Sequence, residues 1–427
     1  MTRLYALFLA SWFYGLASFL LVGLVQTSDA RAAPLQETKR AQAKAPANTG
    51  SKIKLSIKIG YLTRQYEEPP PLSLVDKILT DNGVQGARMG IKYNATTGRL
   101  LGHDYELVEK SVSLDGDIRD TAISLFADGV SFIVADLEPT DLLAVSDLVE
   151  ARGKTLFNVR SSNDDLRGKN CRWNLFHIIP SWAQRADALA QFLIWKQWRR
   201  WFLLTGRKPK DLEFARAMKR AAKRFGGKIV EERTYEFEGG NRRTDDGHQQ
   251  IQTQMPLLTQ SVPEHDVLMV ADASEVFGDY LMWRTTDPSP VVGSHGLSAV
   301  AWHRSFEQYA GTQMQRRFER HAGRVMTERD YAAWLAVRIV GEAVLRNNSN
   351  DPDTLRDYIM SDDFKVAGFK GQGLNFRTWN HQLRQPILLS GPRTLVSISP
   401  QAKFLHHRYL TDTLGIDEPE SRCRFNN

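Results

Sequence analysis

The chain has 427 residues, 42% hydrophobic and 25% charged, with 56 Lys+Arg against 49 Asp+Glu for a formal net charge of +7. One core stops growing at roughly 250–300 residues, so at least two lobes are expected. A mean hydropathy of −0.38 excludes a polytopic membrane protein, 10% aromatic residues exclude a mostly disordered chain, and two cysteines exclude a disulfide-dense scaffold or a multi-cysteine metal site.

The positive excess points to anionic partners without naming them. The basic residues are dispersed, with no basic tail or nucleic-acid motif, so no nucleic-acid partner is expected. At the N-terminus, Arg3 precedes an apolar run over 4–25, and Ala30-x-Ala32 offers the small residues that a signal peptidase reads. This predicts a cleavable secretory signal over 1–32; the alternative is an uncleaved anchor, because the run approaches the ~20 residues that span a bilayer. Residues 33–51 are rich in Ala, Lys, Gln, Pro and Thr without hydrophobic periodicity and read as a disordered linker. In an oxidising compartment Cys171 and Cys423 have only each other within the chain. They either form a disulfide or remain two unpaired thiols.

From residue 52 strand and helix signals alternate. Strands are predicted over 54–62, 105–112, 130–135 and 155–159, with helices over 86–94, 117–128 and 142–151. The pattern then begins again: helix 185–197, strand 201–205, helix 212–225, strand 228–235, helix 249–259, strand 266–271, helix 274–284 and strand 290–293. Helices over 306–320 and 329–346 follow, then a strand-like, turn-rich stretch over 374–399 and a short helix over 405–414. Near-continuous apolar strands alternating with helices predict an α/β fold of two Rossmann-like lobes, each a parallel sheet covered on both faces.

No Gly-x-Ser-x-Gly elbow, His-Glu-x-x-His or Walker loop is present, so no catalytic residues, catalytic cofactor or metal are expected, and the chain is read as a binding protein rather than an enzyme. The glycine-rich run from Gly368 to Gly373 reads as a turn between lobes. His406-His407 lack the helical partners of a metal site. The informative residues follow the strands' carboxyl ends, where doubly wound sheets bind ligands. Arg64, Arg160, Arg207 and His295 are the expected carboxylate contacts, with Tyr66, Ser161, Ser162, Glu275 and His303 beside them. Trp283 and Trp302 are the expected stacking residues, whereas Trp195 and Trp198 are expected to pack on their own sheet. The competing reading is that polar strand-end residues are solvated or cap helices.

Several runs resemble type I periplasmic solute-binding proteins of the branched-chain amino acid and amide ABC transporter class. These are Lys58-Ile59-Gly60-Tyr61-Leu62, Gly86-Ala87-Arg88-Met89-Gly90-Ile91, Asp266-Val267-Leu268-Met269-Val270-Ala271, Tyr331-Ala332-Ala333-Trp334-Leu335-Ala336 and Gly368-Phe369-Lys370-Gly371. More narrowly, residues 291–297, 301–309 and Gln382-Leu383-Arg384-Gln385-Pro386 are similar to the branch associated with dehydrogenases that use pyrroloquinoline quinone (PQQ). The resemblance implies two lobes joined by hinge strands and a ligand in the cleft. Lobe one is expected over 52–180 and 304–372, lobe two over 181–303 and 373–427. It further implies a monomer in the periplasm, an ABC permease as partner, and PQQ or a metabolite of PQQ-dependent alcohol oxidation as ligand. The alternatives are a branched-chain amino acid or related carboxylate, or a PQQ carrier that delivers to a dehydrogenase. Two departures count against an amino acid: Asp136-Leu137-Glu138-Pro139-Thr140 stands where amino-acid binders carry a serine/threonine-rich loop, and Ser294-His295 stands where they carry a glutamate for the ammonium.

Overall fold

A computed structural model describes residues 55–69, 77–236 and 247–425. The expected signal segment (1–32) and linker (33–51) lie outside the described residues. The first lobe is built on β1 (Leu55–Arg64), α1 (Val84–Leu101), β2 (His103–Val112), α2 (Ile118–Ala127), β3 (Phe132–Asp136), α3 (Pro139–Ser146), β4 (Thr155–Asn158) and β5 (Leu175–His177). Its sheet runs β2-β1-β3-β4-β5, parallel throughout. Every residue of β3 and β4 is buried, as an apolar strand covered on both faces requires.

The second lobe contains α4 (Trp182–Trp195), β6 (Arg200–Thr205), α5 (Pro209–Phe225), β7 (Lys228–Thr234), α6 (Gly247–Thr259), β8 (Val267–Ala271), α7 (Gly278–Leu281), β9 (Val291–Gly293) and β10 (Leu297–Val300). α4 starts from a capping box at Ser181 and Gln184, which satisfies first-turn donors reciprocally. The chain then returns to the first lobe for α8 (Gly311–Ala322), α9 (Glu328–Asn347) and α10 (Pro352–Met360). A small antiparallel sheet of β11 (Val366–Ala367), β12 (Gly373–Phe376) and β13 (Leu383–Arg384) follows. Strands β14 (Ile387–Ser390) and β15 (Leu395–Ser399) complete the second sheet in the order β15-β14-β10-β9-β8-β6-β7; β14 runs antiparallel to both its neighbours and the other strands run parallel to one another.

Among the described residues, three crossings join the lobes: between β5 and α4, between β10 and α8, and between β13 and β14. The last differs from the boundary expected at 373. Val366, Leu374, Phe376 and Leu383 belong to the first lobe's core, which holds β11–β13 there and moves the crossing to Gln385-Pro386. The helix expected over 274–284 shrinks to the four residues of α7. The Asp272 carboxylate accepts the backbone N–H groups of Val276, Phe277 and Gly278, and Glu275 adopts φ 54°, so this segment is spent on a loop. Trp195 is 45% exposed at the end of α4 rather than packed on the sheet, while Trp198 packs on the second core. Cys171 and Cys423 form a disulfide.

Candidate functional site

The carboxyl ends of β1, β3 and β4 face those of β8 and β9 across a cleft of 650 Å³, within the size range of small-ligand sites. On the first lobe, the loop after β4 is folded by Asn158. Its side-chain oxygen accepts the N–H groups of Arg160 and Ser161, and its amide donates to the Ser161 carbonyl. That turn presents Arg160, Ser161 and Ser162 to the cleft.

Arg160 is the best-anchored cation there. Nε donates to Asp136 Oδ1 at 2.8 Å and Nη2 to Glu68 Oε1 at 2.6 Å, and the guanidinium lies over the Tyr66 ring at 4.6 Å. Burial works against its charge, but Asp136 and Glu68 outweigh that and raise its pKa further. Arg329, beside it, donates to Glu68 Oε1 at 2.8 Å. Burial pushes the Glu68 carboxyl up, yet Arg329 and Arg160 together hold it at about 2. Tyr66 donates from its hydroxyl to Asp141 Oδ2 at 2.5 Å and accepts from the Glu138 N–H; burial first, then the Asp141 contact, raises its pKa.

The second lobe supplies Trp182 and Arg185 from α4, Lys210 and Glu213 from the first turns of α5, and Ser274, Glu275 and His295 from strand-end loops. His295 accepts from or donates to Ser294 Oγ at 3.0 Å through Nδ1 and lies 3.7 Å from Asp279. Side chains pair across the lobes at the cleft: Arg185 with Glu328 at 2.8 Å, Lys210 with Glu138 at 2.8 Å, and Asn163 with Glu213 at 2.8 Å. Burial raises the Glu213 pKa against the help of Asn163. Arg185 also donates from Nε to Ser162 Oγ at 3.3 Å, joining the two walls.

Of the residues expected from the sequence, Tyr66, Arg160, Ser161, Ser162, Glu275 and His295 line this cleft, and five others do not. Arg64 is spent internally, donating to Asp141 and to the carbonyls of Ser113, Leu114 and Gly116. Arg207 stands 59% exposed against Glu236. Trp302 is core: it is 2% exposed and stacked on Tyr331 at 4.8 Å. His303 turns to Ser305 in its own loop, and Trp283 is 82% exposed. Sequence reasoning missed Trp182, Arg185, Glu328 and Arg329. The first two open α4 just after a crossing and the last two open α9, so strand-end logic passes over them; for α4 alone, a helix start next to a crossing was the available signal.

Two α/β lobes, three crossings and a polar cleft between them define a receptor that holds a small solute between its lobes. The chain belongs to the periplasmic binding protein family, whose model matches residues 57–390. That family binds small molecules, works with ABC permeases and places the chain in the periplasm. Among solved structures, the chain is similar to a branched-chain amino acid ABC transporter periplasmic ligand-binding protein from Burkholderia xenovorans (TM-score 0.65, 16% identity, 86% of this chain and 99% of that one). It is also similar to the leucine-, isoleucine-, valine-, threonine- and alanine-binding protein of Brucella ovis in a closed conformation (0.63, 14%, 87% and 99%). A third is a solute-binding protein from R. palustris in complex with benzoate (0.59, 12%, 87% and 100%). No curated protein matches the chain.

Proposed function

We propose that the protein is the solute receptor of an ABC transporter for a small carboxylate that also carries a cationic or hydrogen-bond-donating group, such as an amino acid. The observation that carries this is the mixed charge of the cleft. Among the described residues its lining holds five Lys and Arg side chains and seven carboxylates, and Arg160, Arg185, Arg329 and Lys210 each already face a carboxylate. A dipolar solute can replace both halves of such a pair. A simple anion takes the cation and leaves a desolvated carboxylate behind, which costs several kcal/mol. The names of structural neighbours, which bind amino acids and benzoate, are compatible with this class.

PQQ, or a metabolite linked to PQQ-dependent dehydrogenases, is the narrower reading inherited from the resemblance, with delivery to such a dehydrogenase as its variant. The convergence of Arg160, Arg185 and Arg329 beside Trp182 favours it; the excess of carboxylates opposes a tricarboxylate. Titration calorimetry with L-leucine, L-phenylalanine, benzoate and PQQ separates the two. The proposal expects an amino acid to bind at least ten-fold tighter than benzoate and PQQ. Tight binding of PQQ alone would replace it with the narrower reading.

A further inference from the structure

The C-terminal segment beyond β15 passes back and forth between the lobes. Asp412, 2% exposed, accepts from Arg377 Nε and Arg384 Nε, each at 2.9 Å; both arginines flank the β12–β13 turn, which packs with the first core. Leu414 is buried in the second core. Gly415 donates to Asp187 of α4 at 2.8 Å, and its carbonyl accepts from Arg220 and Arg224 of α5 at 2.8 and 2.7 Å. Ile416 turns its carbonyl to Arg377 and Trp379. Glu420 meets Arg220 of the second lobe at 3.4 Å. Cys423 then bonds covalently to Cys171. Cys171 belongs to the first lobe: its neighbour Arg172 pairs with Asp147, and Asn174 donates to the carbonyls of Ser146 and Ala151. Phe425 continues onto that lobe, stacking on His381 at 4.3 Å and meeting Trp173 edge-on at 5.4 Å.

We propose that residues 412–425 form a strap, locked by the Cys171–Cys423 disulfide, that limits how far the two lobes open. Only seven residues separate Gly415, fixed to α4 and α5, from Cys423, fixed to the first lobe. A chain reaches at most ~3.3–3.6 Å per residue, so the eight steps from Gly415 to Cys423 cap the separation of these two anchors at roughly 26–29 Å. Without the covalent lock, opening has to break non-covalent contacts alone, the buried Asp412 pairs with Arg377 and Arg384 and the Arg220–Glu420 pair, half-exposed at Glu420 and weak for that reason. The family model's match ends at residue 390, before the strap begins. Its action does not depend on which solute the cleft takes.

The test compares three ligand-free proteins by small-angle scattering and amide hydrogen exchange: wild type, Cys171→Ser/Cys423→Ser, and a variant with six Gly/Ser residues inserted between Glu420 and Ser421, which keeps the disulfide but slackens the strap. Both variants should scatter as larger particles than wild type, and amide exchange at 299–302 and 385–388 should quicken at least ten-fold in both. The insertion variant covers the case in which the serine pair fails to fold, because it retains the covalent bond. Unchanged scattering and exchange in the insertion variant overturns the proposal. If the serine pair alone loosens, the disulfide stabilises its own neighbourhood and does not act as a strap.

Discussion

Arg185 on α4 of the second lobe places Nη2 2.8 Å from Oε2 of Glu328, the first residue of α9 in the first lobe. Each partner also grips the same crossing. Arg185 Nη1 donates to the Ala299 carbonyl at 2.6 Å, and Glu328 Oε1 accepts the Ala301 N–H. A group in the cleft that competes for either member therefore acts on backbone that must turn when the lobes move, since hinge motion is absorbed by a few such residues.

Glu328→Gln keeps an acceptor for Ala301 and removes the charge that opposes Arg185. The expected outcome is a reversal of preference: benzoate binds several-fold tighter than to wild type, and L-leucine about ten-fold weaker, because its ammonium loses a partner. Calorimetry with these two probes measures it. Equal changes for both would show that Glu328 does not discriminate charge.

Arg160 and Arg207 look alike in sequence, since both follow an apolar strand. In the structure they differ sharply. Arg160→Ala leaves Asp136, 3% exposed, without its closest cation, and breaking a buried pair costs ~3–5 kcal/mol. Arg207→Ala removes an exposed contact and should stay within about 0.5 kcal/mol of wild type. Denaturant midpoints distinguish the two; comparable losses would contradict this assignment.

The tryptophans separate in the same way. Trp302→Ala removes a buried ring that stacks on Tyr331 and should cost ~3–5 kcal/mol of stability. Trp283→Ala should change neither stability nor binding. Trp182→Ala is the one expected to weaken ligand binding, because its half-buried ring lies in the cleft wall and under the Arg185 guanidinium at 5.7 Å. A Trp182→Ala variant that binds L-leucine like wild type would remove the ring from the site.

Periodicity made the sheets legible because their strands are buried on both faces, as in Phe132-Ile133-Val134-Ala135-Asp136 and Val267-Leu268-Met269-Val270-Ala271. The short strand Leu297–Val300 carried no such signal, being half-buried and only four residues long. Helix α10 was signalled by Asp351, whose side chain caps it, and by Pro352 at its first position, and was passed over. Strand-end logic found Arg160, Ser161 and Ser162 but could not tell them from Arg64, whose partners Asp141 and Ser113 lie 77 and 49 residues away. A cation's fate is decided by which acids the fold brings to it, and sequence spacing does not contain that.

Lys370, in the glycine-rich run between β11 and β12 rather than between the lobes, is 4% exposed. Its Nζ donates to the carbonyls of Ala301 and Pro386, tying the second crossing to the third. The charged groups facing it are Glu328 from α9 and Arg185 from α4, with the Tyr331 ring face at 5.3 Å. Burial lowers its pKa from 10.5 to about 7, the Glu328 charge opposing that shift and Arg185 adding to it. Between about pH 7 and 10.5 the unfolded chain therefore holds a proton that the folded chain has released. Stability gained from this group rises with pH through that window, by at most ~1.4 kcal/mol per unit, and is lost as pH falls back toward 7. Lys370→Met removes the titrating group. Denaturant midpoints at pH 7.0, 8.0 and 9.0 should show wild type gaining stability with pH relative to the Met variant. Parallel curves for the two proteins would mean that Lys370 keeps its ordinary proton affinity and that the crossings are held by an ammonium throughout.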